Sequence, residues 1–157
     1  MNVDIPLSDR EALLLTARES ITARLLGRKP SWPEYGAVAD ERLGAFVTLH
    51  ATSASGRRSL RGCIGRMSSE LPLRSTIRDM AVAAAFEDPR FPALREDELP
   101  SIDVEISVLS PFEPCGPGDV VPGVHGVYLT RGYRSGVFLP QVAPEQGWDR
   151  HQLLEQL

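Results

Sequence analysis

The chain has almost no lysine, Lys29 being the only one, and only two cysteines, three histidines and 6% aromatic residues among 157. Each shortage excludes something. Two cysteines, Cys63 and Cys115, in unlike settings and without short ligand-type spacing, argue against a disulfide scaffold and against a zinc ribbon. They fit a reducing cytoplasm. No apolar run approaches the roughly 18 residues that a membrane-spanning helix needs. The early Asp4, Asp9, Arg10 and Glu11 do not resemble a secretory leader either. A formal net charge of -4 carries no basic excess, which speaks against a general nucleic-acid or membrane-surface binder. The arginine-for-lysine usage reads as a GC-rich genome, not as function. With 42% hydrophobic and 24% charged residues, what remains is an ordinary soluble composition able to bury one real core.

Ser8 and Glu11 have capping-box spacing, and Ala12, Leu15, Ile21, Leu25 and Leu26 recur at helical intervals up to Gly27. This predicts a first helix. Pro30, Pro33 and Gly36 then make a loop in which Trp32 and Tyr35 serve as apolar anchors. Gly44 to Ala51 and Leu60 to Arg66 read as the strands of a hairpin joined by the polar Ser53 to Ser59 segment. Leu73, Ile77, Met80, Ala81, Ala84 and Ala85 form the small-residue face of a second helix, suited to lying close on a sheet and stopped at Asp88-Pro89. Ile102, Val104, Ile106 and Val108 alternate with polar residues in a half-buried strand, which turns Glu105 away from the apolar layer. Pro111 to Gly123 is a linker or ordered loop. Beyond it, Val124 to Thr130 and Gly136 to Leu139 suggest another hairpin, and Trp148-Asp149 opens a last helix.

The most informative stretch is Leu60-Arg61-Gly62-Cys63-Ile64-Gly65. In a regular strand, Arg61 and Cys63 point to one face, with Leu60, Gly62 and Ile64 on the other. A guanidinium beside a thiol lowers the thiol's pKa, and an arginine fork suits a carboxylate or phosphate. Read as chemistry, Cys63 is a nucleophile and His125, flanked by Gly126, its base, with Arg61 and the amides near Gly62 holding developing charge. Read as packing, Cys63 is a small buried residue and His125 a structural histidine. Arg61 then pairs internally with Glu105 or Asp88. Gly62 and Gly65 likewise permit a bulge or close strand packing, since no phosphate-binding glycine pattern is present. Gln141, in the Leu139-Pro140-Gln141-Val142 strand end, is a candidate for ligand contact, and Asp88-Pro89-Arg90-Phe91 reads as a fixed corner. His50, Cys63, Cys115 and His125 lack ligand spacing, so no metal site and no cofactor is expected.

These segments, together with Ser107-Val108-Leu109-Ser110, His125-Gly126 and Gly147-Trp148-Asp149 in the same order, resemble the AMMECR family, whose bacterial and archaeal members are called AmmeMemoRadiSam system protein A. The resemblance implies one AMMECR-type domain over residues 1–157. Its implied fold is α+β, in two unequal sub-lobes, each with an antiparallel sheet and flanking helices, and with the cysteine motif lining the cleft between them. Members usually continue past the Trp148 helix, so the C-terminal end is shorter than expected for the family. The family name also implies association with a Memo-like protein and a radical S-adenosylmethionine enzyme, without fixing a molecular activity. Three functions are therefore carried forward: an accessory or substrate-binding component of such a modification system, a stand-alone thiol enzyme, and a peptide or protein interaction module. The ligand is an unknown small molecule or peptide.

Overall fold

The computed structural model describes residues 4–157. The architecture is α+β and divides into two compact units, one up to Pro111 and one from Phe112 to Leu157. In the first unit, helices α1 (Leu7–Leu25) and α2 (Leu73–Phe86) accompany strands β1 (Gly44–Thr52), β2 (Arg58–Arg66) and β3 (Ile102–Leu109). The strands form an antiparallel sheet in the order β2-β1-β3, so β1 is central and β2 is an edge.

The core lies on the helical side of this sheet. Ala45, Val47 and Leu49 of β1 are fully buried with Leu73, Ile77, Ala81 and Ala84 of α2 and with Leu13, Ala17 and Ile21 of α1. The alanines of α2 let the helix approach β2 so closely that a methyl group on Gly62 would stand 2.1 Å from the Ala84 carbonyl oxygen. Only glycine fits there.

Helix α1 differs from its sequence reading at two points. It starts at Leu7 behind Pro6, with no side-chain cap, so the Ser8–Glu11 box does not form. The fixed φ of Pro6 starts the helix early and leaves Ser8 inside its first turn. Leu15 and Leu26, expected on the apolar face, are 58% and 46% exposed, whereas Leu13, Thr16, Ala17 and Ser20 are buried. Three consecutive leucines allow either stripe. The chain buries the one whose hydroxyls are satisfied, because Thr16 and Ser20 donate to the carbonyls of Ala12 and Thr16.

The second unit holds a hairpin of β4 (Val127–Arg131) and β5 (Arg134–Phe138), then short helices α3 (Val142–Gln146) and α4 (Arg150–Glu155). Val120, Ala143 and Leu153 form its small core, against which Phe138 and Trp148 pack edge to face. Asp149 caps α4 by accepting from the Gln152 amide, as the sequence suggested. Helix α3 was not read from sequence because Pro144 lies in it; at the third helical position proline forfeits no helical hydrogen bond. Among the described residues, no helix is long and apolar enough to cross a membrane.

Candidate functional site

Cys63 sits on the edge strand with both backbone groups turned away from β1. Its N–H donates to Asp88 Oδ2 at 2.8 Å, and its carbonyl accepts from Arg90 Nη2 at 3.2 Å. Asp88 is delivered by the end of α2, and its side chain is only 2% exposed. It accepts from Arg90 Nε and Nη2 at 3.0 and 2.7 Å and from the Arg90 amide at 3.1 Å. The Arg90 guanidinium, followed by the Cys63 and Arg90 amides, holds the Asp88 carboxyl well below the usual carboxylate range, against the opposing effect of burial. Asp88-Pro89-Arg90-Phe91 is thus a buckle over the exposed edge of β2, an edge that would otherwise offer unpaired backbone groups.

With its backbone facing outward, Cys63 forms a non-hydrogen-bonded pair with Thr48, the arrangement that brings cross-strand side chains closest. Thr48 Oγ1 donates to the Cys63 sulfur at 3.2 Å. The same sheet face continues across the strands. Glu105 stands opposite Thr48 on β3, and His50, two residues along β1, faces Asp103. Thr52 donates to Asp103 and Arg58 reaches Glu105 at 3.5 Å, which fixes the orientation of the row. Cys63 is half-buried and His50 presents a buried Nδ1 with no partner. The result is a polar face bearing a thiol, a hydroxyl, an imidazole and two carboxylates. His50 was considered in the sequence only as a metal ligand; the period-two alternation from Thr48 was the signal that could have placed it beside the thiol.

Arg61 does not share this face. The register shifts between Leu49 and His50: Gly62 pairs with Leu49 and Leu60 with His50, leaving Arg61 as the extra residue of a β-bulge. Leu60 and Cys63, three apart, therefore lie on one face, and the regular alternation expected for the motif is overturned. Arg61 is buried and forms a two-pronged pair with Glu98, Nε to Oε1 at 2.8 Å and Nη2 to Oε2 at 3.1 Å. Its partner is neither Glu105 nor Asp88. The Arg61 hydrogen bonds, then the Arg95 amide, lower the Glu98 pKa. Glu98 was missed because it lies in the 3-10 turn Glu96–Ser101, whose orientation no periodicity encodes.

Gly62 lies under α2, and Gly65 receives the Phe46 ring, whose nearest atoms would stand 2.3 Å from a methyl at that position. Both glycines serve close packing. His125 and Gln141 belong to the second unit and are exposed. The Val121 amide donates to His125 Nδ1 at 3.2 Å, so neutral His125 carries its proton on Nε2. Gln141 precedes α3 without capping it. Among the described residues, no group of three His, Cys, Asp or Glu side chains is arranged to hold a metal ion.

Comparison with known proteins gives a consistent answer. The AMMECR1 family model matches residues 14–157. A protein of Methanothermobacter thermautotrophicus is 40% identical over 163 residues, covering 95% of this chain and 81% of its own. One of Thermococcus gammatolerans is 43% identical over 122 residues, or 74% of this chain and 60% of the relative's length. The crystal structure of an uncharacterized protein from Pyrococcus horikoshii superposes with a TM-score of 0.80 at 33% identity, over 94% of this chain and 78% of that one.

Proposed function

Taking as premise that this chain belongs to the AMMECR1 family, we propose that it is an accessory or substrate-binding component of a modification system, working in the cytoplasm beside a Memo-like protein and a radical S-adenosylmethionine enzyme as one AMMECR-type domain. Its ligand would meet the Cys63 face. One observation carries this reading: the thiol is held rigidly at its backbone by Asp88 and Arg90 while its sulfur receives a hydrogen bond from Thr48. A sulfur used as an acceptor and fixed in position suits presentation of a contact surface. Affinity capture from the native host tests the partners. Recovery of a Memo-like protein or a radical enzyme, weakened by Cys63→Trp on the same face, supports the reading; recovery of neither refutes it.

His50 favours a second reading, a thiol enzyme with Cys63 as nucleophile. Its Nδ1 is unpartnered and it shares the face of Cys63, whereas His125 Nδ1 is already engaged with the Val121 amide. In this reading Cys63 alkylates faster at pH 7 than the exposed Cys115, and His50→Gln or His125→Gln slows it, identifying the base. In the binding reading Cys63, half-buried, is the slower of the two.

A further inference from the structure

On the helical side of the first unit, away from the Cys63 face, lies a groove of about 680 Å³, within the size range of small-molecule sites. None of Cys63, Thr48, His50 or Glu105 lines it. Its walls are the end of α1, the loop through Pro30 and Trp32, and the outer side of α2. The end of α1 is fixed by Gly27, at φ +59, and by the Arg28 amide bonding back to the Ala23 carbonyl. This closing turn sends the chain toward Trp32.

Trp32 is a prepared aromatic wall. The Arg78 guanidinium lies 3.8 Å from its ring centre and donates through Nη2 to the Tyr35 hydroxyl, which in turn bonds Thr16. The ring is nevertheless 38% exposed, more than an anchor over the core requires. Four arginines line the groove against two carboxylates, Asp79 and Glu87. Arg28 is neutralised by Glu19, which grips both its terminal nitrogens at 2.6 and 2.8 Å. Arg24, Arg66 and Arg78 have no carboxylate within ion-pair reach among the described residues. Arg78 is engaged with Trp32 and Tyr35, and Arg24 lies over the Phe86 ring, yet none of these contacts cancels charge, so three guanidiniums facing two carboxylates leave a single surplus positive charge. Ala23, Pro30, Val82 and Ala83 supply the apolar lining.

We infer that this groove is a second binding site, for an amphipathic monoanion: an aromatic or acyl body lying along Trp32 and the apolar wall, with one carboxylate, sulfonate or similar head toward Arg24 and Arg66. A polyanion is disfavoured because it would meet Asp79 and Glu87 as well. A neutral body of the same shape forgoes the charge-assisted contacts.

The test uses the full chain with 1-anilinonaphthalene-8-sulfonate and its uncharged parent, N-phenyl-1-naphthylamine, followed by fluorescence titration and by the Trp32 indole N–H resonance, assigned through its loss in Trp32→Phe. The sulfonate is expected to bind one saturable site, to shift the Trp32 signal, and to lose about tenfold in affinity in Arg24→Ser/Arg66→Ser. Arg24→Lys/Arg66→Lys restores most of that loss, and the uncharged probe is unaffected by either pair. Equal affinities for the two probes, an unchanged affinity in the serine variant, or shifts confined to the Trp148 signal would overturn the proposal.

Discussion

Removing the Asp88 carboxylate tests whether the buckle, and not the β1–β2 ladder alone, holds Cys63 in place. In Asp88→Ala the Cys63 amide loses its acceptor, at a cost of about 1–3 kcal/mol for a donor left unmade in a partly buried setting. Arg90, 54% exposed, swings into water and adds only about 0–1 kcal/mol. The lost turn bond from the Arg90 amide adds about 1 kcal/mol. The sum, about 2–5 kcal/mol, falls on one strand edge. Native-state hydrogen exchange at the Cys63 amide reads it locally: exchange accelerates by at least about tenfold, since each 1.4 kcal/mol of easier opening is a factor of about ten. Urea unfolding of the same variant reads it globally. Asp88→Asn, which keeps one carbonyl oxygen but no charge, falls between. An Asp88→Ala protein within about 0.5 kcal/mol of the parent, with Cys63 exchange unchanged, refutes the buckle and leaves the turn as decoration.

Glu98→Ala strands a buried guanidinium and is expected to destabilise by about 3 kcal/mol in urea melts, whereas Arg61→Met, which removes the charge and keeps the volume, costs less. Gly62→Ala forces a methyl into the Ala84 carbonyl and costs about 3 kcal/mol or more, while Gly118→Ala, with open space around it, stays within about 0.5 kcal/mol; thermal melts separate the two. Acid lowers stability in a definite direction. Asp88, Glu98 and Glu19, the last lowered to about 2 by Arg28, all titrate below their unfolded values near 4. Their contribution is complete at neutral pH and is lost as pH falls from about 5 toward 2. Urea midpoints at descending pH should show this loss, and Asp88→Asn should flatten it.

Helix α2 and strand β3 were legible because each carries an uninterrupted period, both hairpins because β-forming runs flank polar or glycine-bearing turns, and the small residues of α2 even announced the close approach to β2. Arg61 was misplaced for a specific physical reason. Alternation assumes one residue per rung, and the bulge inserts a second residue opposite Leu49, which inverts the faces of Arg58, Ser59 and Leu60 relative to Cys63. The two glycines flagged a possible bulge without fixing its position. Glu98 lay beyond reach because a 3-10 turn is oriented by tertiary contacts, here with Arg61 and the Arg95 amide. The α1 stripe failed for another reason: three adjacent leucines make the apolar face ambiguous, and the side-chain hydroxyls that settle it score as polar.

The position-by-position geometry of the motif narrows where its chemistry can lie. Arg61 is spent on Glu98, Gly62 on the approach of α2, Ile64 on the core cluster and Gly65 on the Phe46 ring. The Cys63 backbone is committed to Asp88 and Arg90. Gly62, Ile64 and Gly65 thus have packing reasons for their identity and need no ligand to explain them, whereas Arg61, paired with Glu98 through Nε and Nη2, keeps a buried Nη1 with no hydrogen-bond partner among the described residues. What packing leaves over is the Cys63 sulfur, which a serine or alanine could replace sterically, and the 41% exposed Leu60 that the bulge turns onto the same face. A ligand that meets the Cys63 face is therefore read by a soft sulfur and an aliphatic side chain beside a histidine and two carboxylates, with the half-exposed Arg90 guanidinium next to the thiol. Serine at position 63 keeps the size and polarity of the site but loses the sulfur's softness and acidity. If Cys63→Ser retains partner capture while Leu60→Asp abolishes it, the face works as a docking surface; the reverse pattern assigns the work to the thiol.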